Sequence, residues 1–132
     1  MARRIAAVTV VVAQYDEAIA FYTRSLGFTL LADDDMGSGK RWVLVAPPGG
    51  QGAALLLAQA DGDAQTRRVG DQTGGRVGFF LHTDDFERDY AILRSRGVQF
   101  EEEPRHEAYG IVAVFRDLYG NRWDLLQPAE DE

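Results

Sequence analysis

Along the chain, short β-branched apolar runs give way to apolar residues spaced three and four apart, and this change of period happens twice. Ile5 to Val12 is strand-like by composition. From Asp16 the spacing becomes helical, with Ile19, Tyr22 and Leu26 on one stripe and Gly27 as the stop. Phe28 to Ala32, Arg41 to Ala46 and Ala53 to Ala58 are three further strands, separated by the turn-rich stretches Asp33 to Gly39 and Pro47 to Gly52. The second half repeats the order. Arg76 to Thr83 reads as a strand, and Asp84 with Glu87 three residues on predicts a helix start with a reciprocal cap. Phe86, Tyr90 and Leu93 form its stripe, and Gly97 is a left-handed stop. Val98 to Glu102, Ile111 to Arg116 and Arg122 to Gln127 complete the half, with Tyr119-Gly120-Asn121 as the tight turn before the last strand.

The two halves match at an offset of 70 residues. Leu26-Gly27-Phe28 falls on Arg96-Gly97-Val98, Val43-Leu44-Val45 on Ala113-Val114-Phe115, and Ala54-Leu55-Leu56 on Asp124-Leu125-Leu126. With one residue of slip, Ala6 to Val12 falls on Val77 to Thr83. The pattern therefore predicts an α+β fold of two βαβββ modules, about 5–58 and 76–127, within a single domain over 1–132. The polar stretch 59–75 is expected to connect them, as a linker or as a lid. A four-stranded half with one helix can bury one sheet face under that helix, so the modules are expected to form a curved, cupped mixed sheet with helices outside and function on the inner face.

Composition narrows the chemistry. The chain has 132 residues, no cysteine, 14 Lys and Arg against 21 Asp and Glu, and a formal charge of −7. No disulfide, thiolate metal site or cysteine nucleophile is available. With no basic cluster larger than a pair, nucleic acid is not expected as a partner. The negative balance suits solubility and would also steer in a cationic ligand. No apolar run reaches the roughly 18 residues that span a bilayer, and neither end carries a signal-peptide pattern, so no membrane partner and a cytoplasmic address are expected. Glu130, Asp131 and Glu132 are expected to form a frayed acidic tail.

Ser25, Ser38 and Ser95 do not lie in a nucleophile elbow. Gly37-Ser38-Gly39-Lys40 lacks the spacing of a phosphate loop and reads as a hairpin turn, and Asp33-Asp34-Asp35 lacks the periodicity of a calcium loop. Two histidines, His82 and His106, cannot make a three-histidine zinc site within one chain. His82 shares strand parity with Gly78 and Phe80, which makes it a candidate hydrogen-bond donor or proton shuttle, or simply a junction residue bonded to backbone. Tyr109 and His106 lie in a charged stretch that reads as a loop able to close a cavity mouth. On the last strand Arg122, Asp124 and Leu126 share one face, and Trp123 and Leu125 the other.

Val8-Thr9-Val10-Val11-Val12, Asp16-Glu17-Ala18-Ile19-Ala20-Phe21-Tyr22, Leu26-Gly27-Phe28, His82-Thr83-Asp84-Asp85-Phe86 and Asp117-Leu118-Tyr119-Gly120-Asn121-Arg122-Trp123-Asp124-Leu125 together resemble the vicinal oxygen chelate superfamily, the glyoxalase/bleomycin-resistance/extradiol-dioxygenase group. The likeness runs from about Ile5 to Gln127. It implies paired βαβββ modules, usually in homodimers. In enzymatic members a divalent metal is held by residues of the first and last strand of each module, positions that map to Ala7, Ala54, Gly78 and Asp124. Only Asp124 carries a donor there, whereas catalytic sites normally keep about three protein ligands. His82, four residues along an extended strand from Gly78, lies roughly 13 Å away and does not substitute for it. The resemblance thus implies a protein that binds a small molecule without cofactor or metal, with Trp42, Phe80, His82, Tyr109, Arg122 and Asp124 as candidate contacts. The alternatives are a metal-dependent lyase, isomerase or dioxygenase using Asp124 with His82 or His106, and a metal-independent acid/base enzyme; these residues leave open whether a reaction is catalysed.

Overall fold

A computed structural model describes residues 2–130, so the tail residues Asp131 and Glu132 lie outside the described residues. The chain divides into two compact units, one running to Val69 and the other starting at Gly70.

Unit 1 holds β1 (Ala7–Val12), α1 (Tyr15–Ala20), β2 (Thr29–Asp35), β3 (Arg41–Ala46), β4 (Ala54–Gln59) and α2 (Gly62–Thr66). Its four strands run in the order β1-β4-β3-β2. The β1/β4 pair is parallel and the other two pairs are antiparallel. One sheet face is core: Val10, Val12, Val43, Val45 and Leu57 are completely shielded, together with Ala18 and Tyr22 from the helical segment. Burial of such β-branched side chains, each contributing about 1.5–3 kcal/mol, drives this face together.

The single helix expected from Asp16 differs in form. It is α-helical only to Ala20 and widens into a π turn over Phe21–Ser25, where Leu26 N–H donates to the Phe21 carbonyl at 3.1 Å. Thr23 Oγ1 donates to the Ile19 carbonyl at 2.7 Å, and this back-bonding competes for an acceptor that a continuing α-helix would use. The buried stripe is Tyr15, Ala18, Tyr22 and Leu26, with Ile19 at its margin. β2 extends through Asp35 rather than stopping at Ala32, because Arg41 grips Asp33 across the ladder through Nε (3.0 Å) and a second nitrogen (2.7 Å).

Unit 2 repeats the plan with β5 (Val77–His82), α3 (Phe86–Ser95), β6 (Gln99–Phe100), β7 (Arg105–Glu107), β8 (Gly110–Arg116) and β9 (Arg122–Pro128). Its strand order, β5-β9-β8-β6, matches that of unit 1, with β7 also pairing β8. The fold is α+β, built from two βαβββ modules. The unit 2 core is aromatic. Phe79 stacks on Trp123 at 4.6 Å, Trp123 on Phe115 at 5.7 Å, and the series continues through Phe100 and Tyr90 to Phe86. Gly27 (φ 74°) and Gly97 (φ 86°) both take the left-handed conformation expected of helix stops.

Four expectations need correction in this unit. The cap of α3 is Asp85, whose carboxylate accepts from Arg88 N–H at 3.1 Å; Asp84 instead pairs with the Arg88 side chain. β6 covers only Gln99–Phe100, because Glu102 replaces the backbone ladder with its side chain, Oε2 accepting from Val114 N–H at 3.0 Å. Arg105–Glu107, read as loop, is a strand paired antiparallel to β8. Finally, the stretch 59–75 is not all connector: it contains α2, and from Gly70 it belongs to unit 2. Gln72 N–H reaches Asn121 Oδ1 at 3.4 Å, and the Gly75 carbonyl accepts from Arg122.

Candidate functional site

In each unit one sheet face is taken by the core, so a ligand must use the other. Register identifies its residues in unit 2. Asp124 pairs with Phe80 on β5 and with Val114 on β8, and Leu126 pairs with His82 and Val112. Strand alternation places Phe80, His82, Arg122, Asp124 and Leu126 on one face, while Trp123 (3 % exposed) and Leu125 (1 %) turn into the core. The parity expected from the last strand therefore holds.

Asp124 is the unusual group. Its Oδ1 is buried and has no hydrogen-bond partner among the described residues. Burial pushes the carboxyl above the ordinary carboxylate range; the Arg105 charge opposes this, Glu102 adds to it and Arg122 opposes it. Beside it stands Phe80, 63 % exposed. An apolar ring open to solvent next to a polar atom lacking a partner is the arrangement that ligand sites favour over ordinary surface.

The cations around Asp124 are each paired. Arg122 Nε donates to Glu101 Oε2 at 3.0 Å and its terminal nitrogen to the Gly75 carbonyl at 3.0 Å. Arg116 Nε donates to the same Glu101 oxygen at 3.1 Å. Arg105 is held by Glu102 at 2.8 Å and Glu107 at 3.1 Å, with Tyr109 as a further hydrogen-bond partner. Arg105, the Val114 N–H and nearby positive charge hold the Glu102 carboxyl below its ordinary range against the pull of burial. Glu101, Glu102 and Arg105 thus brace β6, β7 and β9, a role not visible in a segment read as charged loop. Their signal was the spacing of opposite charges three apart at Glu102 and Arg105.

The other candidates separate. Tyr109 (54 % exposed) sits in the turn between β7 and β8. His106 pairs with Ile111, which places it on the opposite face of the sheet from Asp124, so the two do not converge. Trp42 belongs to unit 1, where it is 43 % exposed on the non-core face with Leu44 and Leu56. The β2–β3 hairpin holds an open hollow of about 450 Å³ lined by Asp33, Asp35, Gly37, Ser38, Gly39 and Arg41. Its only cation, Arg41, is held by Asp16 and Asp33 and stacks on Tyr15, so the hollow is unsuited to phosphate.

Register also corrects the mapping of the four metal positions. Ala7 pairs with Ala54, but Gly78 sits at a bulge and Asp124 pairs with Phe80. With β1 and β5 matched at the one-residue slip, Thr9 corresponds to Phe80; Thr9 pairs with Leu56, so Leu56, not Ala54, is the counterpart of Asp124. Leucine has no donor either. A side chain at Gly78 would force Thr73 to move, since a Cβ there would lie 2.7 Å from Thr73 Cγ2. Glu102, whose charge acts on Asp124, has its oxygens engaged by Arg105 and Val114. Among the described residues no three of His, Asp and Glu gather as a metal-binding group. The residues at these positions do not fit the family's chelated metal.

The chain matches the family model described as Glyoxalase/Bleomycin resistance protein/Dioxygenase superfamily over residues 4–125. It belongs to that superfamily. It is similar, at 50 % identity over 96 % of its length and 95 % of the other, to an uncharacterized protein of Shewanella frigidimarina (strain NCIMB 400). Among solved structures it resembles UcmS2, with 32 % identity, a TM-score of 0.82, and 96 % and 98 % of the two chains covered. It also resembles TnmS3, an antibiotic binding protein from Streptomyces sp. CB03234, at 32 % identity and a TM-score of 0.76 over 98 % of each chain. No helix among the described residues is long and apolar enough to cross a membrane.

Proposed function

We propose that this superfamily member binds a small organic molecule on the non-core face of the unit 2 sheet, without a metal. The observation that carries this reading is the buried, unpartnered Asp124 Oδ1 beside the exposed Phe80 ring. A protein does not ordinarily leave such an oxygen unsatisfied, because each buried polar atom without a partner costs about 1–3 kcal/mol. The likeness to an antibiotic binding protein at 32 % identity supports the same class of function. Phe80 and Asp124 make the principal contacts. His82 lines the same face, Arg122 holds the edge, Tyr109 covers the β7–β8 turn, and Trp42 offers similar apolar surface in unit 1. On this reading the chain acts as one domain and, as the superfamily implies, as a homodimer, at the cytoplasmic address expected from the sequence.

The test is thermal denaturation against a panel of planar aromatic compounds, with and without EDTA. Stabilisation that EDTA leaves untouched and that Phe80→Ala abolishes is expected. Stabilisation only after nickel, zinc, manganese or iron is added, or none with any compound, overturns the proposal. A second reading, proton transfer by Asp124, draws on the upward shift of its carboxyl caused by burial. Chelator-resistant turnover of a diketone or epoxide, lost in Asp124→Asn, would establish it.

A further inference from the structure

The same face carries information about what kind of molecule fits. Three guanidinium groups lie on or beside it, Arg105, Arg116 and Arg122, and each already donates to a carboxylate of Glu101, Glu102 or Glu107. The remaining nitrogen contact of Arg122 goes to a backbone carbonyl. An incoming anion would therefore meet no net positive charge, because these three guanidiniums stand against the carboxylates of Glu101, Glu102 and Glu107. It would also meet Asp124, whose ionised form is already disfavoured by burial. The polar atom that does lack a partner is an acceptor, Asp124 Oδ1. A carboxylate oxygen is satisfied by N–H or O–H, and an ether, ketone or carboxylate on a guest offers neither.

We infer that unit 2 selects guests by a hydrogen-bond donor, an N–H or O–H on a flat apolar body, presented to Asp124 Oδ1 while the body lies against Phe80, and that it rejects anionic analogues of the same shape. This rests on the binding reading above and goes beyond it by naming the polar group the guest must carry. It makes Asp124 a specificity residue rather than a metal ligand. It also explains why the counterpart position in unit 1 can be Leu56: that face has no buried carboxylate whose acceptor a guest must meet.

Calorimetry with four probes on one ring system tests it: 2-naphthylmethylamine, 2-naphthylmethanol, 2-(methoxymethyl)naphthalene and 2-naphthoate. The intact chain is expected to bind the amine and the alcohol about tenfold more tightly than the ether, which lacks only the donor, and to bind the naphthoate most weakly. In Asp124→Leu the alcohol and the ether should become equal. Asp124→Asn, which keeps an acceptor and removes the charge, should retain the preference for alcohol over ether but lose much of the discrimination against naphthoate. If no probe binds the intact chain, or if Phe80→Ala leaves all binding unchanged, the binding reading itself fails and takes this inference with it. If binding depends on Phe80 but the ether matches the alcohol, or naphthoate binds as tightly as the amine, the binding reading stands and the donor rule is overturned.

Discussion

The two units share strand order and pairing direction, yet one has a mainly aliphatic core and a mostly apolar second face, while the other has a core threaded by a series of stacked rings and a charged second face. In unit 1 the fully shielded side chains are mainly valine and leucine, and the non-core positions on β3 and β4 include Trp42, Leu44 and Leu56. In unit 2 stacked rings fill the core, and the corresponding strands carry Arg116, Arg122 and Asp124. The strand order and pairing directions are the same. What differs is a handful of side chains at matched register, which shows that the backbone plan sets where a site can be and the face residues set whether one exists.

The strongest way to break the comparison is at the β8–β9 turn, which has no parallel in unit 1. Asp117, 6 % exposed, accepts from Asn121 N–H at 2.9 Å, Asn121 Nδ2 at 3.0 Å, Tyr119 N–H at 3.1 Å and Trp123 Nε1 at 3.2 Å. Asp117→Ala leaves buried donors unpaired and is expected to destabilise the chain by about 3–5 kcal/mol, with the buried Trp123 reporting the loss in fluorescence before Trp42. In unit 1 the equivalent stress is a cavity. Leu57→Ala, at a completely shielded site, is expected to destabilise by about 3 kcal/mol in urea denaturation.

Exchanging the matched residues sharpens the contrast further. Leu56→Asp should destabilise unit 1 by about 1–2 kcal/mol, and Asp124→Leu should stabilise unit 2 by about 1 kcal/mol while weakening binding, the exchange of stability for function expected of a site residue. Opposite signs for the two substitutions in calorimetric melts are the result to look for; stability lost in both would mean that Asp124 has an internal partner.

The smallest effect is in pH. The Asp124 carboxyl is raised, mainly by burial, with Arg105, Glu102 and Arg122 as the charged groups acting on it, so the folded state holds its proton more tightly than the unfolded chain does. Its contribution is therefore favourable below the ordinary carboxylate pKa of about 4 and is lost as pH rises through the raised value. Glu102, lowered chiefly by its bond from Arg105, has the reverse sign: its contribution is present above the ordinary value and is lost as pH falls through the lowered one. Relative to Asp124→Leu, the parent chain should gain melting temperature as pH falls from 7 toward 4, and both should lose it below that.

Much of the plan was legible in residue order. The change from β-branched runs to helical spacing, the glycine stops at Gly27 and Gly97, and the repeat at an offset of 70 carried the order of elements along both units, because periodicity and stop residues are local properties that the folded chain has little reason to override. The parity of Arg122, Asp124 and Leu126 against Trp123 and Leu125 was legible for the same reason. Register was not. The bulge at Gly78 shifts the β5/β9 ladder, so Asp124 meets Phe80, and counting residues from one half to the other pointed to Ala54 where the ladder points to Leu56. Spacing offered the Glu102–Arg105 pair, but it could not show that Glu101 holds Arg116 and Arg122 from distant strands, or that Asp124 Oδ1 is left buried and unanswered. Those are relations between strands far apart in the chain. Local chemistry writes the elements into the order of residues, but which charge finds which partner depends on the packing that brings distant strands side by side.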